Sequence, residues 1–445
     1  MRDGRIPKGS FGWPIIGETL SFLQPHPSTS SGAFLQTHCS RYGKVFKSHL
    51  FFSPTVVSCD KELNHYILQN EGRYFECSYP KTVHQVLGER SLLVAVGATH
   101  KRLRNVAVSL VTNIKSKPDF LNDIERNAAR VLDSWKDKSQ VMFSEEAKKY
   151  TFNVIVKQVL GLRPDEQCTS EILQDFLTFT RGLISLPIYI PGTPYARAIQ
   201  ARRRVSSRVK TIIDGRRKNA GKGCGKSDDF LEILLNVDSL SEDEKVSFVL
   251  DSLLGGYETT SLLLSMTVFF LDHCPNVVQH LKVEHETIRS MKKKDELLNW
   301  NHYKAMEFTH NVINEALRLG NIVKFVHRRA IQDVKFKDHI IIPSGWKVLP
   351  IISAVHLDPS FHVNPLDFNP WRWQQKEDEA GGKTFSPFGG GSRYCPGFEL
   401  AKLEVAFFLH RLLQKYRWKV EEGDHPIAFP YVEFPKGLKL SVQCL

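Results

Sequence analysis

The stretch FVLDSLLGGYETTSLLLSMTVFFLDH, residues 248–273, constrains the fold of this chain more than any other. Its apolar spacing is helical, and at ~1.5 Å per residue it makes a rod about 39 Å long, enough to cross a whole domain. A helix that is apolar on every face must be buried. Yet Gly255, Gly256, Glu258, Thr259 and Thr260 interrupt its middle. There each glycine costs roughly 1 kcal/mol, and burying an acid adds to the cost. A breach of local propensity at the centre of a core helix marks a functional site.

Most of the remaining chain is also helical in pattern. Apolar spacing of the 3.6 type predicts helices over 61–71, 98–112, 117–136, 141–161, 170–184, 196–219, 241–273, 275–293, 301–320 and 398–416. Residues 42–60 read as a β-hairpin turning at Ser53-Pro54, and 333–353 as a second strand region. The expected fold is one mixed domain, mostly α with small β-sheets assembled from distant pieces.

The 42% hydrophobic and 24% charged content is that of a globular protein with a substantial core. No apolar run reaches the ~18 residues of a membrane-spanning helix. The eight cysteines form no CxxC pair, which argues against a zinc framework. Their scatter argues against a disulfide scaffold and for a reducing compartment. The net charge of +12 suits an acidic partner, an anionic membrane or nucleic acid. Ten of the basic residues fall between Arg202 and Lys226. They lack the interleaved aromatics that stack bases, so they read as a solvated helix face running into a loop, not a nucleic-acid site. The tail GKGCGKS has Ala220 where a phosphate loop needs its first glycine, which excludes that motif.

The other informative stretch is PFGGGSRYCPGFELAKLEVAFFLHRLL, residues 387–413. Its glycine run lacks dinucleotide-binding spacing, and no histidine in the loop could activate Cys395 as a nucleophile. A buried inert cysteine and a thiolate metal ligand remain, and the ligand explains more of the loop. Cys395 sits just before a helix, whose unpaired N–H groups and dipole favour negative sulfur. Gly391 and Gly397 let the backbone pass close to a flat macrocycle. Arg393 can meet a carboxylate such as a haem propionate, and Phe388 can shield the sulfur from water. Cysteine thiolate is the haem ligand that favours O–O cleavage and leaves the opposite face open to dioxygen.

The pattern Phe388-x-x-Gly391-x-Arg393-x-Cys395-x-Gly397 resembles the haem-binding signature of the cytochrome P-450 monooxygenases. Three other segments agree. Glu315 and Arg318 of NVINEALRLG, with Arg372 of FNPWRW, are similar to the family's E-x-x-R network, which lies buried behind the haem. Gly255-Gly256-Tyr257-Glu258-Thr259-Thr260 resembles its A/G-G-x-D/E-T-T/S motif, with Tyr257 where plant members usually carry histidine. His100 and Arg104 fall where the family often has W-x-x-x-R, histidine replacing tryptophan, and Arg328 matches a further propionate arginine.

The resemblance implies a single fold shaped as a triangular prism around buried haem b, with Cys395 as axial iron ligand. Cofactor contacts would come from Arg393, Arg104, His100, Arg328, Phe388, Gly391 and Gly397. Thr259 would deliver protons to dioxygen, and Glu258 would connect it to water. Glu315, Arg318 and Arg372 would form the structural network. Residues 1–19 resemble the proline-rich hinge that follows a membrane anchor, with 20–445 as the catalytic domain. The expectation is then a monomer on the cytosolic face of the endoplasmic reticulum, its anchor not present in this chain. Electrons would come from NADPH through a separate reductase, which the positive charge would help to dock.

Segments 311–330, 342–360, 368–375 and 428–438 resemble plant steroid hydroxylases of brassinosteroid synthesis, above all those acting at side-chain carbon 22. The implied reaction places one oxygen atom of dioxygen into a C–H bond of a cholesterol- or campesterol-type sterol. Val323, Phe325, Val326, Leu253, Gly255 and Phe429 would line the pocket. Oxidation at both carbons 16 and 22, in saponin or steroidal-alkaloid synthesis, is the alternative. A hydroperoxide lyase or isomerase is a rival, but such relatives lack the threonine and lengthen the cysteine loop. A non-catalytic steroid-binding haem protein is a second rival.

Overall fold

The computed structural model describes residues 6–220, 230–293, 296–337, 339–374, 382–429 and 431–445. α1 (Thr19–Phe22), β1 (His26–Pro27) and α2 (Ala33–Tyr42) lead into a hairpin of β2 (Val45–Leu50) and β3 (Ser53–Ser58). α3 (Lys61–Gln69) follows, its first turn capped by the Asp60 carboxylate accepting from Leu63 N at 2.8 Å. β4 (Phe75–Cys77) and α4 (Lys81–Leu87) complete this region.

The helical body begins with α5 (Gly97–Ile114), α6 (Pro118–Asp133), β5 (Gln140–Met142) and α7 (Phe143–Leu160). α8 (Gln167–Arg181), α9 (Pro194–Ala220) and α10 (Phe230–Leu235) come next. α11 (Glu242–Asp272) is the long rod, opened by a capping box between Ser241 and Glu244. Its 31 residues span about 46 Å. It packs chiefly on α7, and further along on α9, on α12 (Pro275–Met291) and on two later helices. Those are α14 (Glu307–Gly320), which comes after α13 (Trp300–Lys304), and α16 (Phe398–Lys415), with α15 (Ile352–His356) between. No single described helix is long and apolar enough to cross a membrane.

The remaining strands are β6 (Arg328–Ala330), β7 (Val334–Phe336), β8 (Ile340–Ile342) and β9 (Lys347–Pro350). β10 (Tyr416–Val420), β11 (Ile427–Ala428), β12 (Val432–Glu433) and β13 (Lys439–Cys444) close the chain. The largest sheet has the order β2-β3-β9-β6-β4, with β9 parallel to β3 and antiparallel to β6. Sheets β10-β13-β5, β1-β11-β12 and β7-β8 are smaller. The expected mixture of many helices with sheets built from distant pieces is what the chain forms.

The predicted helix ends fall within about three residues of those observed, with one exception. The stretch 301–320 is two helices, interrupted at Ala305 and Met306. Glu284 of α12 accepts from Phe308 N at 2.6 Å and Thr309 N at 3.0 Å, so a carboxylate from another helix caps a fresh start. The hairpin turn also differs from expectation. Phe51 and Phe52 occupy it with φ of 50° and 59°, while Ser53 and Pro54 already belong to β3. Two positive-φ residues make the tight turn whose twist matches its strands. Phe51 is held there against Phe22 and His327, at ring separations of 5.9 and 5.2 Å.

The basic stretch forms an ion-paired seam. Arg204 and Arg208 meet Asp175 of α8, and Lys210 and Arg217 meet Asp243 and Glu242 of α11. Lys222, Lys226 and the GKGCGKS tail lie outside the described residues. Among the described residues every cysteine is free.

Phe52 gains little from burial in its strained conformation, being 66% exposed. Phe52→Asn is therefore expected to raise unfolding stability by up to about 1 kcal/mol. A denaturant midpoint unchanged or lowered would show that the turn carries no strain.

Candidate haem site

The cysteine loop is held against α3. Cys395 N donates to Phe388 O at 3.0 Å and Tyr394 N to Gly391 O at 3.1 Å, closing a compact turn. Gly391 has φ +61°, and a Cβ there would lie 2.1 Å from Leu68 O, so no other residue fits. Burial pushes the Cys395 thiol up, opposed by the Gly397 N–H and the charge of Arg104. By itself the sulfur stays protonated. A coordinating metal deprotonates such a thiol outright, and the N–H and guanidinium are placed to stabilise the resulting thiolate. Phe388 stands beside it, 6.0 Å from Phe398 and 6.4 Å from Tyr394.

The other half of the site is the middle of α11. Gly255 and Thr259, one turn apart, are open on a helix otherwise buried around them. The Thr259 hydroxyl donates to Gly255 O at 2.6 Å. The two glycines serve different ends. A Cβ at Gly256 would lie 2.8 Å from Ile155 Cδ1 on α7, whereas nothing lies within 4 Å of one at Gly255. Gly256 permits close helix packing, and Gly255 keeps the open side clear. Tyr257 faces away from that side, buried against Phe152 and Phe176 at 5.6 and 5.9 Å. Glu258 turns to α8, hydrogen-bonded to Thr180, with Lys148 and Glu433 nearby. Burial raises its pKa, and the hydrogen bond from Thr180 and the charge of Lys148 oppose that rise.

Four residues expected to hold propionates converge. His100 on α5 is surrounded by Arg393, Arg104 and Arg328. Burial first, then those three charges, push its pKa down to about 4, so the imidazole is neutral. Arg393 Nε donates to Glu71 Oε1 at 2.5 Å, and Arg328 Nε lies 2.8 Å from Glu71 Oε2. Arg393 also donates to the carbonyls of Leu93 and Ala95, and Arg104 to the carbonyl of Tyr394. Three guanidiniums against one carboxylate leave two positive charges, which match the two propionates of a haem. The donor set, the thiol and the open Gly255 side therefore fit haem b. Glu71 was not legible from sequence, because its partners lie hundreds of residues away.

Of the residues expected to line a substrate pocket, Gly255, Val323 and Phe429 are exposed and Val326 is half-buried. Leu253 is fully buried within the α11 packing. Phe325 turns toward Phe22 and His327, at 5.1 and 5.4 Å.

Behind the loop, Glu315 and Arg318 are wholly buried and paired twice, at 2.9 and 2.8 Å. Arg372 Nε, Asn369 N and Trp373 Nε1 also donate to the Glu315 carboxylate at 2.9–3.0 Å. Burial pushes its pKa up, but the Arg318 hydrogen bonds and the charges of Arg318 and Arg372 outweigh that and hold it below the usual range. Arg318 reaches on to the carbonyls of His356 and Pro365, each at 2.8 Å. His356 Nε2 accepts from Ser386 N at 3.1 Å, which ties the network to the start of the cysteine loop. Asn369, Trp373 and His356 are further members that pattern reading did not pick out. Glu315→Gln leaves Arg318 buried without its counter-charge and is expected to cost about 3–5 kcal/mol and to abolish haem retention. A variant folded and haem-loaded like the wild type would contradict this.

The cytochrome P450 family model matches residues 7–438. Cytochrome P450 724B1 of Oryza sativa subsp. japonica is 58% identical, over 100% of this chain and 93% of that protein. Cholesterol 22-monohydroxylase CYP90B52 of Paris polyphylla is 44% identical, covering 99% and 93% of the two chains. Cholesterol 16,22-dihydroxylase CYP90G4 of Trigonella foenum-graecum is 45% identical, covering 98% and 92%. Retinoic acid-bound cyanobacterial CYP120A1 superposes with a TM-score of 0.85 at 26% identity, over 99% of each chain. With a cysteine loop, a charge set and an opened helix that all fit a thiolate-bound haem, the chain belongs to the cytochrome P450 family and is a monooxygenase.

Proposed function

We propose that this monooxygenase hydroxylates the side chain of a cholesterol- or campesterol-type sterol at or near carbon 22. The observation that carries the reading is the whole-length similarity, at 44%, to a cholesterol 22-monohydroxylase. The similarity, at 45%, to a cholesterol 16,22-dihydroxylase supports a second reading, oxidation at both carbons. When bound, haem supplies the reductive cleavage of dioxygen, one atom entering a C–H bond and the other leaving as water.

The chain's own residues bind, orient and move protons. Cys395 would supply the thiolate that holds the haem iron, and Arg104, Arg328 and Arg393 would hold the propionates beside neutral His100. Thr259 stands with its hydroxyl on the open side of α11, ready to exchange its Gly255 acceptor for a reacting oxygen. Glu258, next to Thr259 and hydrogen-bonded to Thr180 with Lys148 near it, would act as the proton source. Val323 and Phe429 are apolar and exposed, a surface that suits a sterol.

Electrons are taken from NADPH through a separate reductase, and the enzyme works on the cytosolic face of the endoplasmic reticulum. Two exposed apolar stretches support membrane contact: Trp13, Ile15 and Leu20 near the N-terminus, and Leu186, Tyr189 and Ile190 between α8 and α9. The net charge of +12 favours both an anionic bilayer and an acidic reductase face.

Incubation with cholesterol and campesterol, reductase, NADPH and dioxygen is expected to yield side-chain alcohols, placed by mass spectrometry and NMR. Thr259→Ala is expected to lower product roughly 10²-fold while NADPH consumption continues, since proton delivery is lost and electron supply is not. No oxygen-dependent product from either sterol, or turnover of a lipid hydroperoxide without reductase, would overturn the assignment.

A further inference from the structure

Asp251 lies one helical turn before Gly255 and two before Thr259, so the three residues share one face of α11. Neither the 255–260 motif nor proton delivery involves it. A carboxylate in the apolar stretch of a core helix is costly unless it is hydrogen-bonded. Here both oxygens are engaged by adjacent residues of another segment. Ser91 Oγ donates to Oδ1 and Leu92 N to Oδ2, each at 2.6 Å. Burial pushes the Asp251 pKa up to about 7, opposed by these two hydrogen bonds and by the charge of Arg202. A neutral acid keeps both contacts, because its O–H can donate to Ser91 Oγ while its carbonyl still accepts from Leu92 N.

Residues 88–96 are built around Ser91, which is fully buried. Its carbonyl accepts from Val94 N at 3.2 Å and Ala95 N at 2.9 Å, and its Oγ accepts from Leu93 N at 3.3 Å. Holding Ser91 therefore holds the whole turn 91–95. The far end of that turn is gripped from the cofactor side. Arg393 donates to the carbonyls of Leu93 and Ala95, and Cys77 Sγ donates to Leu93 O at 3.2 Å. The turn thus bridges α11, one turn from Gly255, and the arginine two positions before Cys395. Leu93 and Val96 stand exposed on this bridge.

α9 braces the start of the same segment. The Arg202 guanidinium lies against Gly88, where a Cβ would be 2.4 Å from Nη2, and its charge is near Asp251 and Asp243. Arg90 and Lys210 meet Asp243 at 2.5 and 2.9 Å. Those pairs are exposed and add little each, so the shielded Asp251 contacts are the ones that set position.

We propose that Asp251 is a positioning residue for the oxidation: by holding Ser91 and Leu92 it fixes residues 91–96 beside the open side of α11, and so fixes which part of a bound sterol meets the reacting oxygen. The proposal rests on the sterol reading above for its substrate. Asp251 acts through the segment it holds. A misplacement of about 1 Å can cost on the order of 10²-fold in rate, so a loosened bridge spoils placement before it spoils binding.

The test compares the haem-loaded wild type with Asp251→Leu and Asp251→Asn at equal carbon monoxide-difference signal. Leucine fills nearly the same space and accepts nothing. Asparagine keeps a carbonyl for Leu92 N and an N–H that can donate to Ser91 Oγ. With reductase, NADPH and cholesterol, Asp251→Leu is expected to yield at least about tenfold less sterol product per NADPH consumed, spread over more side-chain carbons. Amide exchange of residues 92–95, followed by mass spectrometry without substrate, is expected to quicken at least about tenfold in the same variant. Asp251→Asn is expected to stay close to the wild type in all three readouts. Wild-type coupling and product pattern in Asp251→Leu overturn the proposal and leave the sterol reading intact. An Asp251→Asn variant as impaired as Asp251→Leu also overturns it, because charge and not hydrogen-bond geometry would then decide. If the wild type oxidises neither cholesterol nor campesterol, the sterol reading falls and the amide exchange alone decides. Exchange quickened in Asp251→Leu and restored in Asp251→Asn upholds Asp251 as the holder of the segment, and equal exchange in all three proteins overturns it.

Discussion

A carboxylate without water must find all its hydrogen bonds in the protein, and Glu315 finds five. Two come from Arg318 and one each from Arg372, Asn369 and Trp373. A buried pair of this kind adds little net stability, because desolvation offsets most of the attraction. What it supplies is position. The 364–374 segment is wrapped on one side of the pair, and on the other Arg318 grips the His356 carbonyl while the His356 ring holds Ser386. Nine residues later comes the sulfur. The loop that presents Cys395 is thus tied to a polar network that would be strained by moving any one member.

The same logic governs the charges on the far side of the loop. Arg104, Arg328 and Arg393 would repel one another in a dry interior, and Glu71, which meets both Arg328 and Arg393, brings a single negative charge. The excess would be balanced by a dianion, and haem would bring two propionates. His100 contributes shape and a neutral ring at a place where another cation would be costly. Arg393 is also bonded to the carbonyls of Leu93 and Ala95, so the segment entering α5 is fastened to the cofactor-binding charge set. Cofactor binding and the order of that segment are therefore coupled.

Much of this was legible in the sequence because it is local. The long helix, the glycines and acid at its centre, the spacing around Cys395 and the i, i+3 placement of Glu315 and Arg318 are all read along the chain. What escaped is relational. The break between α13 and α14 comes from Glu284, which sits on a different helix. The Phe51-Phe52 turn is fixed by Phe22 and His327, and the local Ser-Pro signal lost to that packing. Glu71, Trp373 and the His356 relay carry no motif, and their roles exist only once distant segments meet. The two α11 glycines were visible, but only packing shows that one serves α7 and the other the open side.

Everything in this account depends on one coordinate bond, from the Cys395 sulfur to haem iron. The most direct test is the absorption spectrum of the dithionite-reduced, carbon monoxide-bound protein, compared with Cys395→Ser at equal folded concentration. The wild type is expected to show the strongly red-shifted Soret band of thiolate-ligated haem, and the variant to lose that band. A band that persisted in Cys395→Ser, or that was missing from a haem-loaded wild type, would contradict it.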